Sequence, residues 1–377
     1  MISLPSVMQC TDLTGKRVLL RLDLNVPLDG AEIRDPFRIE KSLPTLNYLR
    51  DNGARIVIIS HIGKGKPEDT LAPVAEYLNT KFDVKFLSIL MSSENERLTK
   101  EMQNGDVVML ENLRHSEGEE TNDPVFVKYL ASLGDIYVND AFSVSHRAHA
   151  SIVGVPALLP HYVGFQMEEE IQKLSVAFEP EHPFLFILGG AKIHTKMPLL
   201  KKFLGIADHV FVGGAIVNNL FKAKGYEIGE SVHDDGELEG LSGFLSSDRL
   251  ILPTDVVVNN AAGSDVRGVQ GVTSGDMIVD IGHETISHLS GVIGAAKLIV
   301  WNGPLGFYEK GFTEGTRELL ALIGGSRAMS IIGGGDTVAL IDEMGMIKQF
   351  SFVSTGGGAM LDFLANETLP GIEALQR

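Results

Sequence analysis

The sequence is poor in several things, and each absence removes a class of protein. It has one cysteine, Cys10, in 377 residues, so it can form neither an internal disulfide nor a thiolate metal cluster, and the cytosol is the expected home. Cations are outnumbered, 32 Lys and Arg against 49 Asp and Glu for a formal net charge of −17. That excludes a general nucleic-acid binder, because the phosphate backbone demands many exposed cations. No uninterrupted apolar run reaches membrane-spanning length, and Met1-Ile2-Ser3-Leu4-Pro5-Ser6 is not a basic stretch leading into a long apolar one; neither insertion nor export is expected. The Gly-x-Gly-x-x-Gly fingerprint and the Gly-x-x-x-x-Gly-Lys-Ser/Thr loop are both missing, so neither standard phosphate-binding turn is available.

What is present is glycine at the ends of strands. Ser330-Ile331-Ile332-Gly333-Gly334-Gly335-Asp336-Thr337 is echoed by Phe352-Val353-Ser354-Thr355-Gly356-Gly357-Gly358-Ala359. Each β-rich run halts at three glycines and enters a predicted helix, so bare backbone N–H groups converge at a helix N-terminus and make an anion site. Asp336 adds a carboxylate for a hard cation such as Mg²⁺, and Thr337 a hydroxyl for a phosphate oxygen. One such turn is as readily structural as functional; two suggest neighbouring strands facing one ligand.

A chain of 377 residues, 44% hydrophobic, exceeds what one core serves, and two domains are predicted. In the first half, strands Arg17–Leu22, Arg55–Ser60, Asp106–Leu110 and Ile136–Val138 alternate with helices Ile39–Asp51 and Leu71–Asn79, the pattern of a doubly wound parallel α/β sheet closing near Pro160. Met167–Leu174 reads as a helical connector. A second series, Pro183–Leu188, His209–Val212 and Leu298–Trp301, leads to the two glycine triplets, while 234–246 and 260–275 read as loops without assigned chemistry. Polar residues cluster after the first set of strands: Asp23, Asn25, His61, Arg114 and Arg147, with Arg38 near the first helix. One lobe thus offers cationic side chains and the other backbone donors, which suggests one anionic ligand per lobe, meeting across a cleft.

Eight segments in order resemble the motifs of the phosphoglycerate kinase family: Lys16-Arg17-Val18-Leu19-Leu20-Arg21-Leu22-Asp23-Leu24-Asn25-Val26-Pro27, Ser60-His61-Ile62-Gly63, Glu111-Asn112-Leu113-Arg114, His146-Arg147-Ala148-His149, Leu188-Gly189-Gly190-Ala191-Lys192, Trp301-Asn302-Gly303-Pro304-Leu305-Gly306, Gly333-Gly334-Gly335-Asp336-Thr337 and Ser354-Thr355-Gly356-Gly357-Gly358. The resemblance runs the length of the chain. It implies two Rossmann-like lobes joined by a helical hinge: a phosphoglycerate-binding lobe over 1–165, a connecting helix over 166–180, a nucleotide-binding lobe over 181–360, and a C-terminal segment, 361–377, that packs back on the first lobe. It also implies a monomer that closes about the hinge and transfers the acyl phosphate of 1,3-bisphosphoglycerate to Mg-ADP, giving 3-phosphoglycerate and ATP.

Matched motif by motif, Arg38, Lys192, Gly335 and Gly357 resemble the groups around the transferring phosphoryl, helped by Gly334 and Gly356. Asp23, Asn25, Arg38 and His61 resemble the grip on the glycerate, and Lys64, Arg114 and Arg147 the cradle of its distal phosphate. Gly190, Ala191, Lys192, Lys196, Gly214, Asn302, Pro304, Glu309, Gly333, Gly334, Gly335, Asp336 and Thr337 resemble the nucleotide site, with Asp336 on Mg²⁺. His146 and His149 lack a third ligand nearby and are not read as a metal site. Four departures stand out: Lys64 for the usual Arg, Thr195 for Asp, Phe352 for His, and Ser143-Val144-Ser145 for a Gly-Thr-Ala run. They keep open a non-catalytic nucleotide-binding module, and a kinase of another small carboxylate remains a further alternative. A periplasmic binding protein is disfavoured by the missing export signal.

Overall fold

A computed structural model describes residues 4–234 and 240–376. The chain divides into two compact units, Met1–Gln172 with Thr368–Arg377, and Lys173–Glu367.

The first unit contains β1 (Arg17–Leu22), the short β2 (Leu28–Asp29) and β3 (Glu32–Ile33), β4 (Arg55–Ile59), β5 (Val84–Leu87), β6 (Val107–Leu110), β7 (Ile136–Asp140) and β8 (His161–Val163). Six of them form a parallel sheet in the order β5-β6-β4-β1-β7-β8, and β2 and β3 pair as a small hairpin. The apolar runs Val18-Leu19-Leu20 and Ile56-Val57-Ile58-Ile59 are wholly buried, as strands covered on both faces must be. The order reverses between β1 and β7. Right-handed crossovers therefore leave the sheet on opposite faces either side of that point, and the ends of β1 and β7 stay uncovered.

The second unit contains β9 (Phe184–Leu188), β10 (His209–Val212), β11 (Leu250–Ile251), β12 (Asp255–Asn260), β13 (Gly263–Gly268), β14 (Met277–Ile281), β15 (Leu298–Asn302), β16 (Met329–Gly333) and β17 (Phe352–Val353). Its parallel sheet runs β11-β10-β9-β15-β16-β17 and reverses between β9 and β15. The doubly wound α/β class expected from the sequence is thus present in both units.

Two expectations need correction. The stretch 260–275 is not simply loop: β12, β13 and β14 make a three-stranded antiparallel sheet in the order β13-β12-β14. β13 is almost entirely exposed, so its residues carry no apolar alternation to betray a strand, and Gly263, at φ +113°, turns the chain into it. Of the other loop stretch, 234–246, residues 235–239 lie outside the described residues, and Leu241–Leu245 is a short helix. The connector comes out as a helix over Phe165–Ser175, with the division between units falling inside it. Of the last residues, the helix Gly358–Asn366 belongs to the second unit, and the helix Pro370–Ala374 to the first.

The second unit's core is anchored by phenylalanines. Phe186 on β9 stacks on Phe203 of the helix Ile193–Ile206 with ring centroids 4.0 Å apart at 12°, and Phe184 meets Phe203 edge-on at 5.9 Å. All three rings are buried. Phe203→Ala leaves a cavity between helix and sheet and should cost the second unit about 3–5 kcal/mol. Urea unfolding followed by the fluorescence of Trp301, the one tryptophan of the chain and fully buried in β15, measures it.

Candidate active site

In the first unit the uncovered strand ends gather polar groups. Asp23 follows β1 and is buried; one of its carboxylate oxygens accepts from the Arg38 guanidinium, on the helix Phe37–Asp51, and from Ser143 Oγ at 2.5 Å. Asn25 Oδ1 accepts the Gly63 N–H at 3.0 Å, and Arg114 donates to the Gly63 carbonyl at 2.5 Å while standing 3.4 Å from Glu120. Gly63 thereby ties Asn25 and Arg114 to the loop after β4. His61, at the head of that loop, is buried. Its imidazole pKa is driven well below the ordinary value, by burial first and then by Arg21, Arg147, Arg38 and His149. The ring stays neutral inside a ring of cations.

Lys64 is exposed; its backbone N–H bonds Asp69 Oδ2 at 2.8 Å, as does that of Lys66 at 3.0 Å. One carboxylate thus shapes the loop that carries both lysines. Arg147 Nε donates to His146 Nε2 at 3.3 Å. The Ser143-Val144-Ser145 departure has a visible consequence, since Ser143 gives Asp23 a hydrogen bond that a glycine would not. Arg21 lies within β1 and escaped the sequence reading, because an arginine inside an apolar run looks like a core interruption rather than a site residue.

In the second unit, β9 and β15 run so close that backbone bonds continue past their ends: Gly189 N–H to Asn302 O at 2.9 Å, Gly190 N–H to Pro304 O at 2.8 Å, and beyond them Gly214 N–H to Leu305 O at 3.1 Å. Gly303 is pressed between Gly189 and Gly334. Beside this seam lies a cavity of about 340 Å³, apolar on Val217, Val256, Ile278 and Leu305 and edged by Glu309 and Asp336; Gly190, Ala191, Gly214 and Pro304 also border it. Asp280 borders it as well; burial raises its pKa to about 7, against the pull of the Gly315 and Ile281 amides. Neither Asp280 nor the apolar wall figured in the sequence reading, although Val256-Val257-Val258 was there to find.

The helix Gly335–Glu343 starts directly after the triplet, with Gly334 at its N-cap and φ +103°, a conformation costly to any side chain. Within its first turn Thr337 is buried, its hydroxyl without a hydrogen-bond partner among the described residues. Asp336, half-buried, has a raised pKa from desolvation and from the Glu309 carboxylate, opposed by Lys196. Lys196 is buried and donates to Gly189 O; burial lowers its pKa to about 8, with Asp336 pulling the other way. Lys192 is the exposed residue preceding the helix Ile193–Ile206, and Thr195 Oγ1 donates back to its carbonyl at 3.0 Å. Asn302 is buried, its amide 3.4 Å from Met360 Sδ. Gly356 and Gly357 precede the helix Gly358–Asn366, and Phe352 is buried in β17.

The sequence model of the phosphoglycerate kinase family matches residues 8–367. The chain belongs to the phosphoglycerate kinase family. It is similar to the phosphoglycerate kinase of Dictyoglomus turgidum, 42% identical over 97% of this chain and 96% of that one, and to that of the Wolbachia of Drosophila simulans, 40% identical over 100% and 99%. Among solved structures it resembles phosphoglycerate kinase from Coxiella burnetii, with a TM-score of 0.86 at 36% identity, covering 99% of each chain. The Pyrococcus horikoshii enzyme gives 0.88 at 31% identity, covering 99% and 98%.

Phosphoglycerate kinases depend on nucleotide, and here the seam between β9 and β15 forms the floor beside the cavity. A Cβ on Gly189 would press into the carbonyl oxygens of Gly303 and Pro304. These are backbone atoms that no side-chain rotation relieves. Gly189→Ala should therefore abolish detectable ADP binding by calorimetry while circular dichroism keeps its α/β signature.

Proposed function

We propose that the chain reversibly transfers the acyl phosphate of 1,3-bisphosphoglycerate to ADP, giving 3-phosphoglycerate and ATP, and that it does so as a cytoplasmic monomer. The observation that carries the nucleotide half is the buried Thr337 hydroxyl, unpartnered among the described residues, beside Asp336 at the start of a helix and next to an apolar cavity of about 340 Å³. Backbone amides and a helix dipole favour phosphate there, and the apolar wall suits a purine.

The nucleophile, an ADP phosphate oxygen, is already anionic, and the leaving carboxylate needs no proton. General acid–base catalysis is therefore unnecessary; holding the reactants in line and offsetting charge suffice. In the first unit Asp23, Asn25, Arg38 and His61 bind the glycerate, and Lys64, Arg114 and Arg147 hold its distal phosphate, the guanidinium forks matching phosphate oxygens. In the second, Lys196 and Thr337 bind nucleotide phosphates, Glu309 the ribose, and Gly190, Ala191, Gly214, Asn302 and Pro304 the floor. Arg38, Lys192 and the amides of Gly335 and Gly357 take the charge of the phosphoryl in transit.

Among the described residues no group of three or more His, Cys, Asp or Glu is placed to hold a metal. That suits Mg²⁺ carried on the nucleotide, which takes one or two carboxylates and substrate phosphates rather than a protein cage. Asp336, its pKa raised by burial and Glu309, is the carboxylate that a cation would relieve. When bound, Mg²⁺ neutralises charge on the nucleotide's phosphate oxygens.

Two measurements test this reading. Phosphorylation of 3-phosphoglycerate by Mg-ATP, coupled to an NADH-consuming dehydrogenase, should be rapid in the parent protein, and Lys192→Ala should lower kcat by about 10²–10³-fold, as for loss of one charge-stabilising group. An inactive parent that still binds nucleotide would favour the binding-module reading. For pH, unliganded Lys196 is charged below its pKa of about 8 and neutral above it. Phosphate binds the ammonium, so ADP affinity should hold through neutral pH and then fall, by at most about tenfold per pH unit above 8; Lys196→Met should remove that step.

A further inference from the structure

Arg21 projects from near the carboxyl end of a parallel strand and is almost completely buried, at 1% exposure, yet the reaction just described gives it nothing to do. Burial lowers its pKa, opposed chiefly by Glu119, and a guanidinium so placed remains charged. Its contacts are specific. Nε donates to Ser151 Oγ at 2.9 Å, one terminal nitrogen donates to Leu22 O at 2.5 Å, and the other stands 3.2 Å from His61 Nδ1. Behind it Ser151 Oγ donates to Glu119 Oε1 at 2.6 Å, Ser151 N–H to Glu119 Oε2 at 3.0 Å, and Tyr137 Oη to Ser151 O at 2.5 Å. Glu119 is fully buried, which raises its carboxyl pKa against the pull of Arg21 and of the two Ser151 hydrogen bonds, and Ser151 is the clamp that fixes the guanidinium plane.

A guanidinium has donors only. The His61 nitrogen facing it must therefore be a bare lone pair, and the proton of the neutral ring must sit on Nε2, which has no protein partner among the described residues. This matters because the ring serves an anion. Arg21, Arg38, Arg147 and His149 all oppose a positive charge on it. A neutral ring in the other tautomer would aim a lone pair at the substrate.

We propose that Arg21 is a positioning residue: by donating to Nδ1 of His61 it fixes the Nε2–H tautomer, so that His61 meets the anionic glycerate as a hydrogen-bond donor. The substrate half of this statement rests on the function proposed above; the tautomer itself does not.

Histidine-selective ¹⁵N NMR of the whole protein, with His61 assigned by its loss in His61→Gln, tests the tautomer directly. The expected spectrum has an unprotonated Nδ1 and a protonated Nε2 that do not titrate between about pH 5.5 and 8, where an ordinary imidazole would. Added 3-phosphoglycerate should shift the Nε2–H signal. A protonated Nδ1, or an imidazolium titrating in that range, overturns the proposal. In Arg21→Met, which removes every donor facing Nδ1, His61 should become a tautomer mixture, and KM for 3-phosphoglycerate should rise about tenfold, the worth of one hydrogen bond to a charged group, with KM for Mg-ATP unchanged. Persistence of the single tautomer in that variant also overturns it. Should Arg21→Met fail to fold, the parent spectrum decides. The expected tautomer in a protein without turnover would count against the reaction and leave the role of Arg21 standing.

Discussion

Where a parallel sheet reverses its order, the loops after two neighbouring strands leave in opposite directions and uncover the strand ends between them. Both units are built on that constraint, at β1 and β7 in one and at β9 and β15 in the other. Candidate site residues follow from it rather than the reverse. Asp23 is reachable because β1 ends there, and Gly189 and Gly190 bond to Asn302 and Pro304 because β9 and β15 run side by side past Leu188 and Asn302. In the second unit that closeness depends on the absence of side chains, since Gly189, Gly214 and Gly303 each lie against another segment's backbone.

The two units solve the same electrostatic problem by different means. A protein of net charge −17 must attract polyanions against its own field. On the reading proposed above, the second unit does so with the dipole of a helix start, which adds no net charge, and with two lysines, Lys192 and Lys196. The first relies mostly on guanidinium charges, and these must be kept from repelling one another. Asp23 takes the charge of Arg38, Glu120 lies beside Arg114, and in the interior the Glu119 carboxyl and Arg21 each oppose the effect of burial on the other. His61 remains neutral because it is buried and, after that, because guanidinium groups surround it.

Strand ends were the most legible feature of the sequence: apolar runs broken by Asp, His or Gly read correctly as parallel strands, and the glycine triplets as helix starts. Three things were hidden. β13 is exposed, so burial leaves no imprint on its composition. The wall of the cavity is assembled from β12, β14 and a separate helix, a juxtaposition that exists only after folding. Arg21 was masked by its neighbours, because a single charged residue among Val18, Leu19, Leu20 and Leu22 carries no sign of which partners wait 130 residues further on at Ser151.

The first unit is discontinuous in sequence, since the helix Pro370–Ala374 belongs to it although the second unit's 173–367 comes between. That helix is seated tightly: Gly371 N–H donates to Ser145 O at 2.8 Å, and a side chain on Gly371 would collide with Ser145 and Ile152. A ribosome makes the chain from the other end. While the second unit is being synthesised and folds, the seat around Ser145 and Ile152, beside the segment carrying Arg147, stands open. The first unit is therefore completed only after the whole of the second has been made, and a chain cut short before Thr368 has a second unit entire in sequence but a first unit that never receives its closing piece.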